Sequence, residues 1–424
     1  MKKKLRILLI WILVSLVFQF GGHSLLNLQV QKVMGLTPLE IEPPITLQLK
    51  ATIPGSELTN IQVSYAKDYL AYMEKGTLKI FNLKKEKIVF EKTSPSTTDK
   101  TLGVLTYQWL PDRNILLYFY AKKNPNEVTT VKVYHPQTIA PNPSIVRKTE
   151  DPNQEEIVTQ KVPAEPRYEK RYGSPQLTEL YSLELPNSDE DSAPEDRSNS
   201  FDPPSGSEEI AAAGRLEKFV VATATNLMYL TVTNGSTQQL MKIDVMKKVS
   251  TLNKPRELIN NMATSDRFST LYIDSKMGTI QQVVAIQYVE ALKNDKRLVI
   301  SNNPNDRIIG VRKGRVYIGE VVDNQLVKVK TTADLELMKD NPALKTEWQG
   351  SIPFDKNICA LIGANGQIIV YDNQTAYIIT DGHLTENKLQ GDENYISADG
   401  AELVQLTKSG TSALVELQTL IRDT

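Results

Sequence analysis

Tyr69-Leu70-Ala71-Tyr72-Met73, a turn at Lys75-Gly76, Leu78-Lys79-Ile80-Phe81, a turn at Lys84-Lys85-Glu86, and Lys87-Ile88-Val89-Phe90 follow one another directly. Short β-branched and aromatic runs cut by such turns read as three strands of an antiparallel meander. The layout returns where Phe354-Asp355-Lys356-Asn357 leads into Ile358 to Ile362, a turn at Ala364-Asn365-Gly366, Ile368 to Tyr371, a turn at Asp372-Asn373, and Ala376 to Ile379. The two stretches differ in residues but share strand lengths and turn positions. Tyr69 to Met73 and Ile358 to Ile362 are apolar at consecutive positions, as expected of first, central strands buried on both faces.

Working outward, Asn114 to Tyr120, Phe219 to Thr223, Phe268 to Asp274, Arg307 to Val311 and Glu402 to Leu406 each open a similar hairpin. That makes about seven copies, spaced roughly 40 to 50 residues apart except for one gap near double that length, a period that marks four-stranded propeller blades. The fold class is therefore all-β: a β-propeller of about seven four-stranded blades over residues 45–424, with six or eight as the neighbouring counts. Ile45 to Thr52 alternates in polarity beside a C-terminal strand at Ser412 to Thr419 that needs a neighbour, so the two are expected to share the closing blade. Helix is scarce. Thr332 to Lys339 carries an N-cap and first-turn acids and reads as one short helix, with single turns at Ser265 to Arg267 and Gln287 to Leu292.

The doubled gap falls at about 149–213, which is rich in Pro, Ser and acid. Between Pro186 and Ile210, eight carboxylates including Asp189, Glu195, Asp196 and Glu209 face Arg197 alone. Such a stretch buries too little apolar area to offset an ordering entropy of roughly 1 to 2 kcal/mol per residue, so a disordered surface insertion is expected. Within it Leu177 to Leu185 alternates strictly and should return to a blade as a strand.

At the start of the chain, Lys2, Lys3, Lys4 and Arg6 precede a run from Ile7 to Leu28 without Lys, Arg, Asp or Glu. About 20 helical residues cross a ~30 Å hydrocarbon layer, so residues 7–28 read as a transmembrane anchor in the lipid bilayer. The basic flank keeps residues 1–6 cytoplasmic and sends the rest outside. A cleaved signal peptide shares the charged and apolar regions, but Gly21-Gly22-His23-Ser24-Leu25-Leu26 lacks an Ala-x-Ala pattern, which favours an uncleaved anchor. Pro38, Pro43 and Pro44 then stiffen an extended stalk over 29–44.

Two turns carry a resemblance. Trp109-Leu110-Pro111-Asp112-Arg113-Asn114-Ile115-Leu116-Leu117-Tyr118 resembles the W-x-P-D-x-x-x-L-x-Y hairpin of the WD40-like repeats in the TolB family and the prolyl oligopeptidase propeller. Ser397-Ala398-Asp399-Gly400-Ala401-Glu402-Leu403 is similar to the S-x-D-G-x-x-L form. The resemblance implies an Asp that caps the turn and a Gly at positive φ. Tyr65-Ala66-Lys67-Asp68 and Thr264-Ser265-Asp266-Arg267 lack that Gly, and Asn303-Pro304-Asn305-Asp306 is rearranged. A propeller family does not fix a function.

The chain has 424 residues, 40% apolar and 23% charged, with 49 basic and 50 acidic side chains and a net charge of -1. No global field draws nucleic acid, and Lys84-Lys85-Lys87 and Lys122-Lys123 read as solvated hairpin tips. A prolyl oligopeptidase-type hydrolase needs a Gly-x-Ser-x-Gly elbow, and Ser409-Gly410-Thr411-Ser412-Ala413 has the wrong spacing. The three histidines are His23 in the apolar segment, His135 before Pro136 and His383 after Asp381-Gly382, so neither a triad nor a zinc site assembles from them. Asn302, Asn303, Asn305 and Asp306 read as turn formers rather than calcium ligands, and Gly310, Gly314 and Gly319 as strand and turn residues rather than a phosphate loop. Cys359, the one cysteine, reads as a small hydrophobe in a buried strand.

The sequence thus names no catalytic, cofactor-binding or metal-ligating residue. The reading it supports is a membrane-tethered, extracytoplasmic binding, sensor or scaffold module of the cell envelope whose propeller loops hold a protein, polymer or small ligand. An enzyme using the central funnel in the manner of lactonases or cyclases, and an accessory subunit of a membrane complex, are the alternatives.

Overall fold

Burial is most complete on the second strand of each repeat. Tyr69 to Tyr72 in Tyr69–Glu74 are all buried, and Leu227–Asn234, Thr270–Met277 and Glu402–Ser409 each bury at least five consecutive residues. A second strand is paired along both edges and covered on both faces by neighbouring blades, so apolar side chains are favoured at consecutive positions. The first strand has one open edge. Leu58–Val63 exposes Thr59 and Asn60. The consecutive apolar run at Tyr69 to Met73 therefore marks the second strand of its blade, not the first as the sequence pattern implied.

The computed structural model describes residues 49–133, 146–148, 155–157, 167–187, 190–212, 215–289, 294–334, 343–355 and 358–420. They contain seven four-stranded antiparallel sheets, which are the seven blades of a β-propeller. Blades 1 to 6 occupy 58–92, 103–199, 215–251, 258–301, 306–353 and 359–388 in chain order. Blade 7 takes three strands from 393–419 and its outermost from Leu49–Pro54. The expected closure is present: the Gly55 amide donates to the Thr411 carbonyl at 2.9 Å, and Lys50 pairs with Glu416 at the other end. Closure in this form ties the first described strand to the last.

Five of the seven first strands carry a register shift, at Thr59/Gln62, Val104/Thr106, Leu216/Lys218, Ile259/Met262 and Ile308/Gly310. A bulge raises local twist and re-aims side chains. In blades 1 and 2 the shift falls at Asn60 and beside Thr106, both of which line a cavity.

The acidic stretch corrects the sequence reading. Gln176–Glu184 is the third strand of blade 2, as its alternation predicted, but Glu195–Asn199 then pairs with Leu180 to Glu184 as the fourth. An outermost strand contributes backbone bonds while its side chains face solvent, so an acid-rich run is compatible with it. A helix at Gly206–Ala212 follows, and Phe201 and Ile210 are buried in a cluster with Phe119, Leu230 and Ile243. Ser207 Oγ donates to the Thr178 carbonyl at 2.8 Å and the Asp202 amide to the Lys247 carbonyl at 3.2 Å, which also pin this connection. The interruption of blade 2 lies earlier, between Ile115–Lys123 and Gln176–Glu184, where Val128–Val133 and Arg167–Tyr172 form a two-stranded ribbon.

At the expected helix, Thr332 and Ala333 end the strand Gln325–Ala333, because their pairing with Val316 and Arg315 of the strand Arg315–Val322 outweighs the local cap signal; residues 335–339 lie outside the described set. Gln287 belongs to the strand Ile280–Val289 rather than to a turn. The tail, anchor and stalk at 1–44 also fall outside the described residues, among which no helix is long and apolar enough to cross a membrane.

Candidate functional site: the axial cavity

Strand direction alternates within each blade, so the first-to-second turns emerge together on one face. Blade 7 follows the repeat motif closely. Asp399 Oδ1 accepts from Ser397 Oγ at 2.6 Å and from the Ala401 amide at 3.2 Å, and Gly400 sits at φ +73°. Blade 2 departs from it. Asp112 is spent on its neighbour Arg113 at 2.8 Å, while Asn114 accepts from the Ala66 amide at 3.0 Å and donates to Asp68 at 3.3 Å. The residue two places on does the bridging there, because it can both donate and accept across the blade boundary.

Lys67 crosses the closing boundary. Its ammonium lies 2.6 Å from Asp399 and 3.1 Å from Glu402, the latter without hydrogen-bond alignment. Burial alone would raise both carboxyls. At Asp399, Lys67, Ser397 and the Ala401 amide hold the group below its ordinary value, whereas burial wins at Glu402 and leaves it raised. One lysine is thus shared between a firmly ionised acid and a reluctant one.

Inward from these turns, mainly the first strands of blades 7, 1, 2 and 3 line a half-open cavity of about 310 Å³. Asn60, Gln62, Thr106, Gln108, Phe219, Tyr395 and Ser397 line it, with Tyr107 and Trp109 forming part of its wall. Trp109 Nε1 donates to the Gln62 carbonyl at 3.2 Å, Gln62 Nε2 donates to the Tyr107 carbonyl at 3.1 Å, and the Tyr107 hydroxyl donates to the Asn60 carbonyl. These bonds lock blade 1 to blade 2 and fix the lining. Burial, with Tyr395 nearby, raises the Tyr107 phenol; burial and then Glu393, whose carboxylate accepts from Tyr395 at 2.6 Å, raises Tyr395. Both phenols stay neutral at physiological pH. The lining is therefore amide, hydroxyl and aromatic, with aliphatic surface from Ile61, Val63, Ile396, Ala398 and Val404, and carries no formal charge. Among the lining residues, Gln108 has a buried Oε1 with no hydrogen-bond partner.

The residues weighed for chemistry from the sequence are dispersed. His383 is exposed and opens the strand His383–Lys388 of blade 6, while His23 and His135 lie outside the described residues. Cys359 is exposed, not buried as its apolar neighbours implied, since it starts the first strand of blade 6 at that strand's open edge. Asn303 accepts from the Asn305 amide at 3.0 Å, and Asp306 accepts from Ser301 at 2.6 Å and pairs with Lys330 at 2.9 Å, so these oxygens hold a turn together. Among the described residues no group of three or more His, Cys, Asp or Glu is placed to hold a metal ion. Asn60, Gln62, Thr106 and Gln108 carry no motif. The signal that was available is polarity interrupting a strand just before a motif turn, as at Gln108 before Trp109 and at Gln62 before Ser64.

No protein-family model matches the chain, and no curated protein matches it in sequence. Solved structures do. The β-propeller domain of Cps50 (Swd1) from Myceliophteria thermophila is 11% identical, with a TM-score of 0.43 over 86% of this chain and 97% of that one. A prolyl endopeptidase structure is 12% identical, with a TM-score of 0.42 over 87% of this chain and 43% of that one. The AfRom2 CNH domain is 10% identical, with a TM-score of 0.41 over 88% of this chain and all 100% of that one. These likenesses concern the fold.

Proposed function

We propose that the chain is a membrane-tethered binding module: residues 7–28 anchor it in the bilayer, and the propeller acts outside the cytoplasm as a sensor or scaffold of the cell envelope. The observation that carries the binding reading is the axial cavity, walled by neutral amides, hydroxyls, aromatic rings and aliphatic side chains and held by bonds between blades 1 and 2. Such a lining selects a ligand by shape and hydrogen bonding, and affinity is then spread over several contacts. The basic flank and uncharged run at 2–28 support the tether.

The test is complementation in a deletion strain. His135→Ala with His383→Ala, and separately Cys359→Ser, are expected to complement, because binding survives loss of a proton-transfer group where catalysis commonly falls by about 100-fold or more. Release of the domain at Gln29 is expected to abolish complementation, since tethering sets its effective concentration at the membrane. A folded histidine variant without function, beside a released form that complements, would overturn the proposal.

A further inference from the structure

We propose that the axial cavity takes an uncharged, polyhydroxylated ligand about the size of one sugar ring, an inference that rests on the binding-module reading and names its ligand class. The volume of about 310 Å³ lies at the low end of the roughly 300 to 1,000 Å³ usual for small-molecule sites, which suits one ring and not an oligomer. Charge decides the class. A carboxylate or ammonium entering a lining of Asn60, Gln62, Thr106, Gln108 and Tyr395 would lose its hydration without gaining a counter-ion, whereas a hydroxyl would find carboxamides that donate and accept as it does.

Gln108 gives the polarity of the contact. Gln108 is a lining residue, and its Oε1 is buried without a hydrogen-bond partner. An unpaired buried acceptor costs about 1 to 3 kcal/mol, a cost that a ligand O–H removes once the Gln108 amide turns towards it on binding. Phe219 and Tyr395 supply aromatic surface for the apolar C–H face of a ring, so both faces of a sugar, polar rim and apolar disc, have counterparts in one cavity. Trp109, 3% exposed in the cavity wall, ties the site to the rigid boundary between blades 1 and 2. The cavity is thereby largely formed before ligand arrives, which lowers the ordering cost of binding.

The experiment uses the full chain in phospholipid nanodiscs, which avoids sugar-headed detergents. Binding of glucose, N-acetylglucosamine, glucuronate and glucosamine is followed by saturation-transfer NMR and calorimetry. Expected is binding of at least one neutral sugar, tighter by about 10-fold or more than that of the charged pair. Gln108→Leu, which keeps volume and removes the orphan amide, should weaken the neutral sugar about 10-fold while leaving the melting temperature unchanged or higher. Gln108→Glu should shift preference towards glucosamine.

Equal or tighter binding of the charged sugars, no binding of either neutral sugar at millimolar concentration, or wild-type affinity in a folded Gln108→Leu protein would each overturn the proposal. Its failure is separable from failure of the tether. Loss of sugar binding with anchor-dependent complementation removes only the ligand class, while sugar binding by a protein that still complements after release removes only the tether.

Discussion

The seams between blades 1 and 2 and between blades 4 and 5 have the same topology and opposite chemistry. The first is aromatic. Tyr69 of blade 1 packs with Tyr107, Trp109 and Tyr118 of blade 2, and its polar edges are hydroxyls and an indole N–H that all find carbonyls or carboxylates. Lys92, the last residue of blade 1, inserts its ammonium among Tyr181, Tyr120 and Tyr118 at 4.1, 5.3 and 5.6 Å from their ring centroids. Asp196 completes the cage at 2.9 Å. The second seam is mostly aliphatic, with Val283, Ala285 and Ile300 of blade 4 against Ile308, Val316 and Ile318 of blade 5. It buries Asp274, whose Oδ1 accepts from the Ile308 amide at 2.6 Å and whose Oδ2 has no partner.

The difference shows that ring geometry fixes where blades meet but not how the meeting is stabilised. At the aromatic seam a cation is surrounded by ring faces and an acid, so its charge is compensated. At the aliphatic seam burial pushes the Asp274 carboxyl up to about 7, against the backbone bond from Ile308 and the charge of Arg307, which favour the ionised form. One seam should ignore pH in the neutral range and the other should not.

The largest expected effect tests the ring on which both seams depend. Deleting Ala413 onward removes the strand that joins Glu402–Ser409 to Leu49–Pro54. Expected is loss of cooperative unfolding for the whole propeller, read by calorimetry; a near-native melt with one blade missing would show that the seams hold without closure.

Next in size is the cage. Lys92→Met keeps the stem but removes the charge, leaving Asp196 with only the Tyr118 hydroxyl at 2.7 Å among its tight partners in the cage. A loss of about 1 to 3 kcal/mol is expected, seen as a lower denaturation midpoint at every pH from 6 to 9. An unchanged midpoint would mean that the rings alone hold the aromatic seam.

The effect confined to one side of neutral pH has a sign set by titration. The folded Asp274 carboxyl, at about 7, lies above its ordinary value of 3.8, so the native state holds the proton more tightly than the unfolded chain. Its contribution is greatest below about pH 4, declines as pH rises towards about 7 and is flat beyond. Asp274→Asn should therefore raise stability at pH 8, by at most a few kcal/mol, and change it little at pH 4. A variant that gains equally at both pH values would assign the effect to packing instead.

The strands and turns of this propeller were legible because β-sheet periodicity and turn chemistry are local. The alternation at Leu177 to Leu185, the closing pair at the chain ends and the Asp399-Gly400 turn were each readable from a few consecutive residues. The fourth strand Glu195–Asn199 was not, since its membership rests on backbone bonds to Leu180 to Glu184 and its side chains advertise solvent. Cys359 misled for the converse reason: apolar neighbours promised burial, but the open edge of a first strand exposed it.

By itself, then, the sequence determined the all-β class, the blade period, the turn positions and the pairing that closes the ring, because each depends on the order of polar and apolar residues over a few positions. Tertiary structure alone decided which strands reach full burial, which acids pair and which polar side chains converge on the axis. Gln62, Gln108 and Tyr395 come from different blades, and nothing in their own stretches of chain says that a closed ring sets them around one cavity. Closure brings together residues more than 280 positions apart, and only the summed twist of the blades determines which of them meet.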